Sequence, residues 1–247
     1  MKPHCILNHV SCPVLVLAQQ GLGDHIVCNG LYRTLLDDYS YCVLPVQRRY
    51  YREISSMFRD EPRIRVYPVP NHYCQDFFHH LEVVFKKNYK IVKLGSFGDN
   101  FMANRSLRLD ASYYQQASID FENRWKRFHF PRENEKEQAI LAKLAPSGTP
   151  YIFLHEDTSR DFTIDRNLII TDLPIVTPDS KSSFLLTNYA AVIENAYEVH
   201  CIESSFSALV ESLNPPVRKF AHRYARPEAK NDYRYEYTYK SDWSVFL

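Results

Sequence analysis

Glycine is scarce here, with six residues in a chain of 247. So little of the residue that tolerates positive backbone angles excludes a collagen-like or glycine-rich low-complexity polymer, and it makes any gathering of glycines informative. Charge of one sign is missing too. Thirty basic residues stand against twenty-nine acidic ones, a net charge of +1, which excludes a general nucleic-acid binder that works by phosphate neutralisation. No apolar run approaches the roughly 20 residues that a membrane-spanning helix needs. The opening residues include Lys2, His4, Asn8 and His9, so the apolar stretch and small-residue cleavage site of a secretory signal are absent. Cys5, Cys12, Cys28, Cys42, Cys74 and Cys201 are scattered without a Cys-x-x-Cys pair and read as reduced core residues rather than a disulfide framework. His79 and His80 are adjacent and would face different sides of a helix, and no His-Glu-x-x-His or Cys/His cluster occurs; neither a structural metal nor a cofactor is expected. A soluble, cytoplasmic protein remains, and its 14% aromatic content lets a core be buried without staples.

What is present alternates. Residues 12–18 form a short continuous apolar run of the kind buried on both faces of a parallel sheet. A glycine turn follows, then a helical pattern carrying Ile26, Val27, Gly30, Leu31, Thr34 and Leu35 on one face. Strands are predicted at 41–46, 63–69 and 90–94, with helices at 48–58 and 76–85. Residues 107–144 read as strongly helical, charged and aromatic, with Tyr113, Tyr114, Phe121, Trp125 and Phe128. Pro146-Ser147-Gly148-Thr149-Pro150 then breaks the chain, which predicts two domains, 1–148 and 149–247. The second half reads as strands at 151–154, 168–170, 175–176, 199–202 and 218–220 with helices at 184–196 and 206–213. The aromatic and charged tail from 232 onward has no assignable pattern. The fold class is α/β, two Rossmann-like halves with mostly parallel sheets.

Three polar turns fall at predicted strand ends, where open α/β sheets bind ligands. Gly21-Leu22-Gly23-Asp24 spends two of the six glycines between a buried strand and a helix, which suits unusual dihedrals and close ligand approach. Ile26 stands where a dinucleotide fingerprint has its third glycine, and no acidic residue closes the second strand, so an NAD site is excluded. Asp24 reads either as a helix N-cap or as a carboxylate placed to take a proton from an attacking hydroxyl. His155-Glu156-Asp157-Thr158-Ser159-Arg160 follows the first strand of the second half; it is either a solvated loop or a donor loop in which His155, Asp157, Ser159 and above all Arg160 meet a diphosphate. Glu203, Ser204, Ser205 and Ser207 open a helix; they are either its cap or a phosphate cradle with Glu203 on ribose hydroxyls. His25, Asn29 and Trp125 are the candidate acceptor-binding residues.

Gly21-Leu22-Gly23-Asp24-His25 resembles the Gly-Asp turn of the heptosyltransferase-like glycosyltransferases, and residues 202–209 resemble their second-domain strand–turn–helix. Here Glu203 stands for the usual Asp and Phe206 for the usual Gly. The resemblance implies a GT-B architecture, two Rossmann-like domains facing across a cleft, acceptor on the N-terminal side and nucleotide sugar on the C-terminal side. It implies Asp24 as catalytic base, Glu203, Ser204 and Ser205 as the donor-side turn, beside the donor-side candidates Gly21, Gly23 and Ser207, metal-independent transfer from a nucleotide-sugar donor to a glycan or glycoconjugate acceptor, and trimmed domains. Two other classes stay open. A nucleotide-sugar epimerase or phosphate-cleaving hydrolase would use the same sheet ends, but the only Tyr-xxx-Lys spacing considered, Tyr89 and Lys93, falls at a strand. A non-catalytic nucleotide- or sugar-binding module would keep the fold without turnover.

Overall fold

The computed structural model describes residues 12–18, 21–71, 75–97, 107–145, 148–179, 183–226 and 236–247. Cys5, Cys74, the dipeptide Gln19-Gln20 and the dipeptide Pro146-Ser147 lie outside them. The chain forms two compact units, Met1–Pro131 and Arg132–Leu247.

In the first unit the apolar run becomes β1 (Val14–Leu17), buried at every position. It lies inside a four-stranded parallel sheet of order β3-β2-β1-β4 with β2 (Cys42–Gln47), β3 (Ile64–Val69) and β4 (Lys90–Lys93). A strand hydrogen-bonded and packed on both sides has no polar face to show, which is why its sequence does not alternate. The expected first helix is broken into α1 (Leu22–Val27) and α2 (Asn29–Leu35) at Cys28. The Cys28 amide still donates to Asp24 O, and its carbonyl accepts from Tyr32 N, both at 2.9 Å, so the break is a kink rather than an end. α3 (Tyr51–Met57) and α4 (Gln75–Phe85) complete the crossovers.

The stretch 107–144 is not one helical block. It holds α5 (Leu109–Gln116), the four-residue α6 (Asn123–Lys126) and α7 (Asn134–Leu144). Ser118 at φ 56° stops α5 in the left-handed region. The contacts divide at Pro131, so α7 belongs to the second unit and the expected boundary at 148 falls after it rather than before it. Arg132 fixes α7 there, since it donates to Glu137 at 2.8 and 2.9 Å and reaches Glu194 at 2.8 Å.

The second sheet has the order β6-β5-β7-β8-β9, all parallel. Its strands are β5 (Ile152–His155), β6 (Ile175–Val176), β7 (Glu198–Cys201), β8 (Arg218–His222) and β9 (Trp243–Phe246), with α8 (Ala190–Glu194) and α9 (Ser205–Leu213) between them. The strand expected at 168–170 does not form. Asp165 accepts the Asn167 amide at 2.9 Å and winds Arg166–Leu168 into a 3-10 turn, leaving Ile170 97% exposed. A local Asx hydrogen bond has outcompeted a three-residue apolar run. The unassigned tail becomes β9 because fully buried Glu211 of α9 captures it, accepting from Lys240 N at 2.8 Å, Ser241 Oγ at 2.6 Å and Trp243 Nε1 at 2.8 Å. Among the described residues no helix is long and apolar enough to cross a membrane.

Candidate functional site

Each sheet has one place where its strand order reverses, the position at which doubly wound sheets bind ligands outside the strands' carboxyl ends. In the first unit it lies between β1 and β4, whose C-terminal ends lead to the Gly21–Asp24 turn and to Gly95. In the second it lies between β5 and β7, which lead to His155 and to Ser204. Both motifs singled out by sequence stand at these points.

Asp24 is half-buried in the first turn of α1. It is not the N-cap. That position is Gly21, whose amide donates to Asp24 Oδ2 at 3.0 Å. The other oxygen, Oδ1, accepts from the Tyr113 hydroxyl at 2.8 Å. The glycines are not there for unusual dihedrals either. Gly21 sits at φ −72° and ψ 147°, open to any residue, and Gly23 is an ordinary buried residue of α1. What Gly21 supplies is room, since a Cβ on it would stand 2.5 Å from Asp24 Oδ2. Tyr113, fully buried on α5, went unnoticed as a site residue because nothing in a sequence marks a partner 89 positions away.

The expected acceptor-side residues separate. His25 is turned inward, 1% exposed, with Nδ1 3.0 Å from the Tyr32 hydroxyl, and burial lowers its pKa to about 3. Asn29 is fully buried and clamps the backbone of His129, donating to its carbonyl at 2.9 Å and accepting from its amide at 3.1 Å. Both therefore hold the unit together rather than face a ligand. Trp125 is half-buried, edge-on to Phe121 at 5.1 Å, with the Arg124 guanidinium 5.0 Å from its ring.

In the second unit Ser204 caps α9. Its hydroxyl accepts from Phe206 N at 3.2 Å and Ser207 N at 3.5 Å, while Ser207 Oγ accepts from Ser204 N at 2.9 Å. Ser204 Oγ lies 3.1 Å from His155 Nδ1, and the imidazole rests against Phe206 with centroids 4.3 Å apart. An oxygen already accepting from amides spends its one proton on Nδ1, which leaves His155 as the tautomer carrying its proton on Nε2. Burial lowers its pKa to about 4, with Asp157 pulling the other way, so the ring is neutral at pH 7. Ser205 is the half-exposed hydroxyl of the turn.

Glu203 and Arg160 are both engaged within the protein here. Glu203 is fully buried and paired with Arg223 at 3.1 Å, and Arg223 in turn holds Glu236 at 2.8 Å and Tyr237 O at 3.3 Å. Burial pushes its carboxyl up against the pull of Arg223. It is a tie for the tail, with no surface to offer a ribose. Arg160 is exposed but not idle. Its Nε donates to Asp157 Oδ2 at 2.7 Å, Ser159 Oγ donates to Asp157 Oδ1 at 2.6 Å, and Asp157 and Phe162 exchange backbone hydrogen bonds of 2.9 Å. The loop is thus a self-closed turn, its guanidinium stacked 4.9 Å from Phe162.

A buried relay that sequence reading missed crosses the same sheet. His200 Nδ1 lies 3.0 Å from His222 Nε2, His200 Nε2 3.2 Å from Glu198 Oε2, and His222 Nδ1 3.2 Å from the Tyr224 hydroxyl. His200 and His222 are two residues of adjacent strands, 22 positions apart, so no local spacing announces them. Among the described residues no group of three or more His, Cys, Asp or Glu is placed to hold a metal ion.

No family model matches the sequence, and no curated protein does. Solved structures do. A glycosyl transferase family 9 protein from Veillonella parvula superposes with a TM-score of 0.55 at 10% identity, over 87% of this chain and 81% of that one. The ADP-heptose LPS heptosyltransferase II of E. coli gives 0.52 at 12% identity, over 85% and 84%. The fold is that of the heptosyltransferases. The iron-containing dodecameric glycosyltransferase TibC from enterotoxigenic E. coli gives 0.56 at 14% identity and covers 98% of this chain, which spans 64% of TibC. Among the described residues this heptosyltransferase-like fold is carried by sheets of four and five strands. Asp24 and Ser204 stand at the two switch points of this chain's sheets.

Proposed function

We propose that the protein is a glycosyltransferase that moves a sugar from a nucleotide-activated donor to a hydroxyl of a glycan or glycoconjugate. The observation that carries this is the half-buried Asp24 carboxylate, held by two donors at the switch point of a heptosyltransferase-like first unit. A carboxylate so held is a general base. As the acceptor oxygen attacks the anomeric carbon, its proton passes to Asp24, the new C–O bond forms, and the bond to the leaving phosphate breaks with its electron pair staying on the nucleoside diphosphate. A single displacement of this kind inverts the anomeric centre.

On the donor side the α9 N-terminus at Ser205 and the Nε2 proton of His155 offset the charge that develops on the diphosphate. These are protein donors, and the chemistry we propose is metal-independent. Because the E. coli neighbour is named for ADP-heptose, an ADP-sugar is the first donor to test. Cys28, Cys42 and Cys201 are buried as free thiols, which suits a reducing, cytoplasmic compartment.

The test begins with calorimetry and thermal shift of the purified protein against ADP, UDP, GDP, CMP and dTDP, with Ser205→Trp as the blocked control. Preferential binding of one diphosphate, lost in the control, supports the donor site and names the sugar series for transfer assays. Transfer abolished by Asp24→Asn with nucleotide binding intact supports the base. No binding of any nucleotide refutes the transferase reading; binding with no transfer to any acceptor tested turns it to a non-catalytic module.

A further inference from the structure

Both oxygens of the Asp24 carboxylate are gripped by the protein, and from two directions. Gly21, three residues earlier, holds Oδ2 through its amide, and Tyr113 reaches Oδ1 from α5. α5 is braced to stay there. The neighbouring Tyr114 hydroxyl donates to Val27 O at 2.9 Å and accepts from Leu31 N at 3.2 Å, which pins α5 to α1 and α2. Asp110 of the same helix forms a fully buried ion pair with Arg124, and the Gln116 amide bonds both backbone groups of Gly95 at 2.7 and 3.1 Å. The Tyr113 ring itself has no exposure, so its hydroxyl has nowhere to swing. A capping carboxylate needs only the Gly21 amide; the second grip serves something else.

We infer that Tyr113 is a positioning residue for Asp24, fixing the carboxylate plane toward the acceptor hydroxyl. This rests on the reading of Asp24 as the base. A hydroxyl donated to a carboxylate favours the charged form, and grips from α5 and from the turn before α1 fix the plane in which the carboxylate lies. Gly21 is the other jaw. Its missing Cβ leaves the space that Oδ2 occupies, and since its φ is ordinary, a methyl group there disturbs the carboxylate and little else.

The experiment uses the full chain with two variants. Tyr113→Phe keeps the buried ring and removes the hydroxyl; Gly21→Ala pushes Oδ2 from the opposite side. The Asp24 carboxyl carbon is followed by ¹³C NMR against pH, assigned by its loss in Asp24→Asn. In parallel, the pH–rate profile of sugar transfer is recorded with the donor found in the nucleotide screen. In Tyr113→Phe the Asp24 midpoint and the acid limb of kcat rise together by roughly one pH unit, kcat falls by about ten-fold or more, and KM for the donor is unchanged. Gly21→Ala shows the same loss in kcat with an unchanged melting temperature. An unmoved midpoint and acid limb in Tyr113→Phe, with Asp24→Asn still inactive, overturn the positioning role and leave the base in place. Full transfer by Asp24→Asn overturns the base reading, and this proposal with it.

Discussion

Gly30 gives the sharpest test of the packing that supports the site, because two effects of known size compete for the sign. It lies inside α2, where replacing glycine by alanine on an exposed face would stabilise by about 1 kcal/mol through helix propensity. Gly30 is buried, however, and a Cβ built on it would stand 2.0 Å from Asn123 O, 3.0 Å from Asn123 C and 3.4 Å from Arg124 Cα. These are backbone atoms of α6, so no side-chain end can step aside. Restoring ordinary contact requires α6 to retreat by about 1.4 Å. Such overpacking costs about 1–3 kcal/mol, and here the displaced backbone also carries Arg124, whose guanidinium is buried in its ion pair with Asp110. Disturbing that pair adds about 1–2 kcal/mol, a fraction of the cost of breaking a buried pair outright. The sum against the propensity gain is a net loss of roughly 1–4 kcal/mol, which lowers the melting temperature of a unit this size by about 4–16 °C. Differential scanning calorimetry of Gly30→Ala reads it directly. A melting temperature equal to or above the parent's would refute the close approach of α2 and α6.

Two further outcomes follow from buried polar groups. Glu211→Ala removes the Glu211 carboxylate from the Lys240 amide, the Ser241 hydroxyl and the Trp243 indole, leaving the indole only Ser241 Oγ at 3.1 Å, so β9 detaches at a cost of about 2–4 kcal/mol; a red-shifted Trp243 emission, best read with Trp125→Phe as background, reports it, and an unshifted spectrum contradicts the capture. For pH, burial depresses His25 to about 3 and His155 and His222 to about 4, and lowers His200 as well. Each keeps its neutral form to lower pH when folded than when unfolded, where it protonates near pH ~6.5, so stability is complete above that value and is lost as pH falls below it, at about 1 kcal/mol per pH unit for each of His25, His155 and His222 down to pH ~4. The buried Glu203 carboxyl, pushed up, works in the opposite direction as one group against four. Urea midpoints between pH 7.5 and 5 measure the balance, and a flat profile would contradict the burial of these rings.

The strand–helix alternation was legible because it depends on local chemistry. β1 is a run of Val and Leu with both faces covered, and the α9 stripe closes on a capping serine that any reading of the turn would find. What sequence could not deliver were outcomes decided by distant partners. The tail becomes a strand through a glutamate some 30 residues earlier, and α7 joins the second unit through Arg132 and Glu194, 62 positions apart. Where local chemistry was read too generously, as at 168–170, a single aspartate hydrogen bond decided the matter.

The candidate site divides along the same line. Residue types placed Asp24 and Ser204 at strand ends, and the sheet orders turn those ends into switch points. Residue types could not say which neighbours face outward. Glu203 and Arg160 are both polar residues beside a phosphate-suited turn, yet one is fully buried against Arg223 and the other is tied by Nε to Asp157. In the proposed transferase the donor side therefore rests on fewer groups than the composition of these turns suggests, chiefly the α9 amide at Ser205 and the neutral His155 ring. A site that binds its diphosphate through neutral donors gains little from long-range attraction, so nucleotide affinity here should depend weakly on salt. Calorimetry of the bound nucleotide at 50 and 500 mM NaCl would separate this from an arginine-dominated site, whose affinity falls steeply over that range.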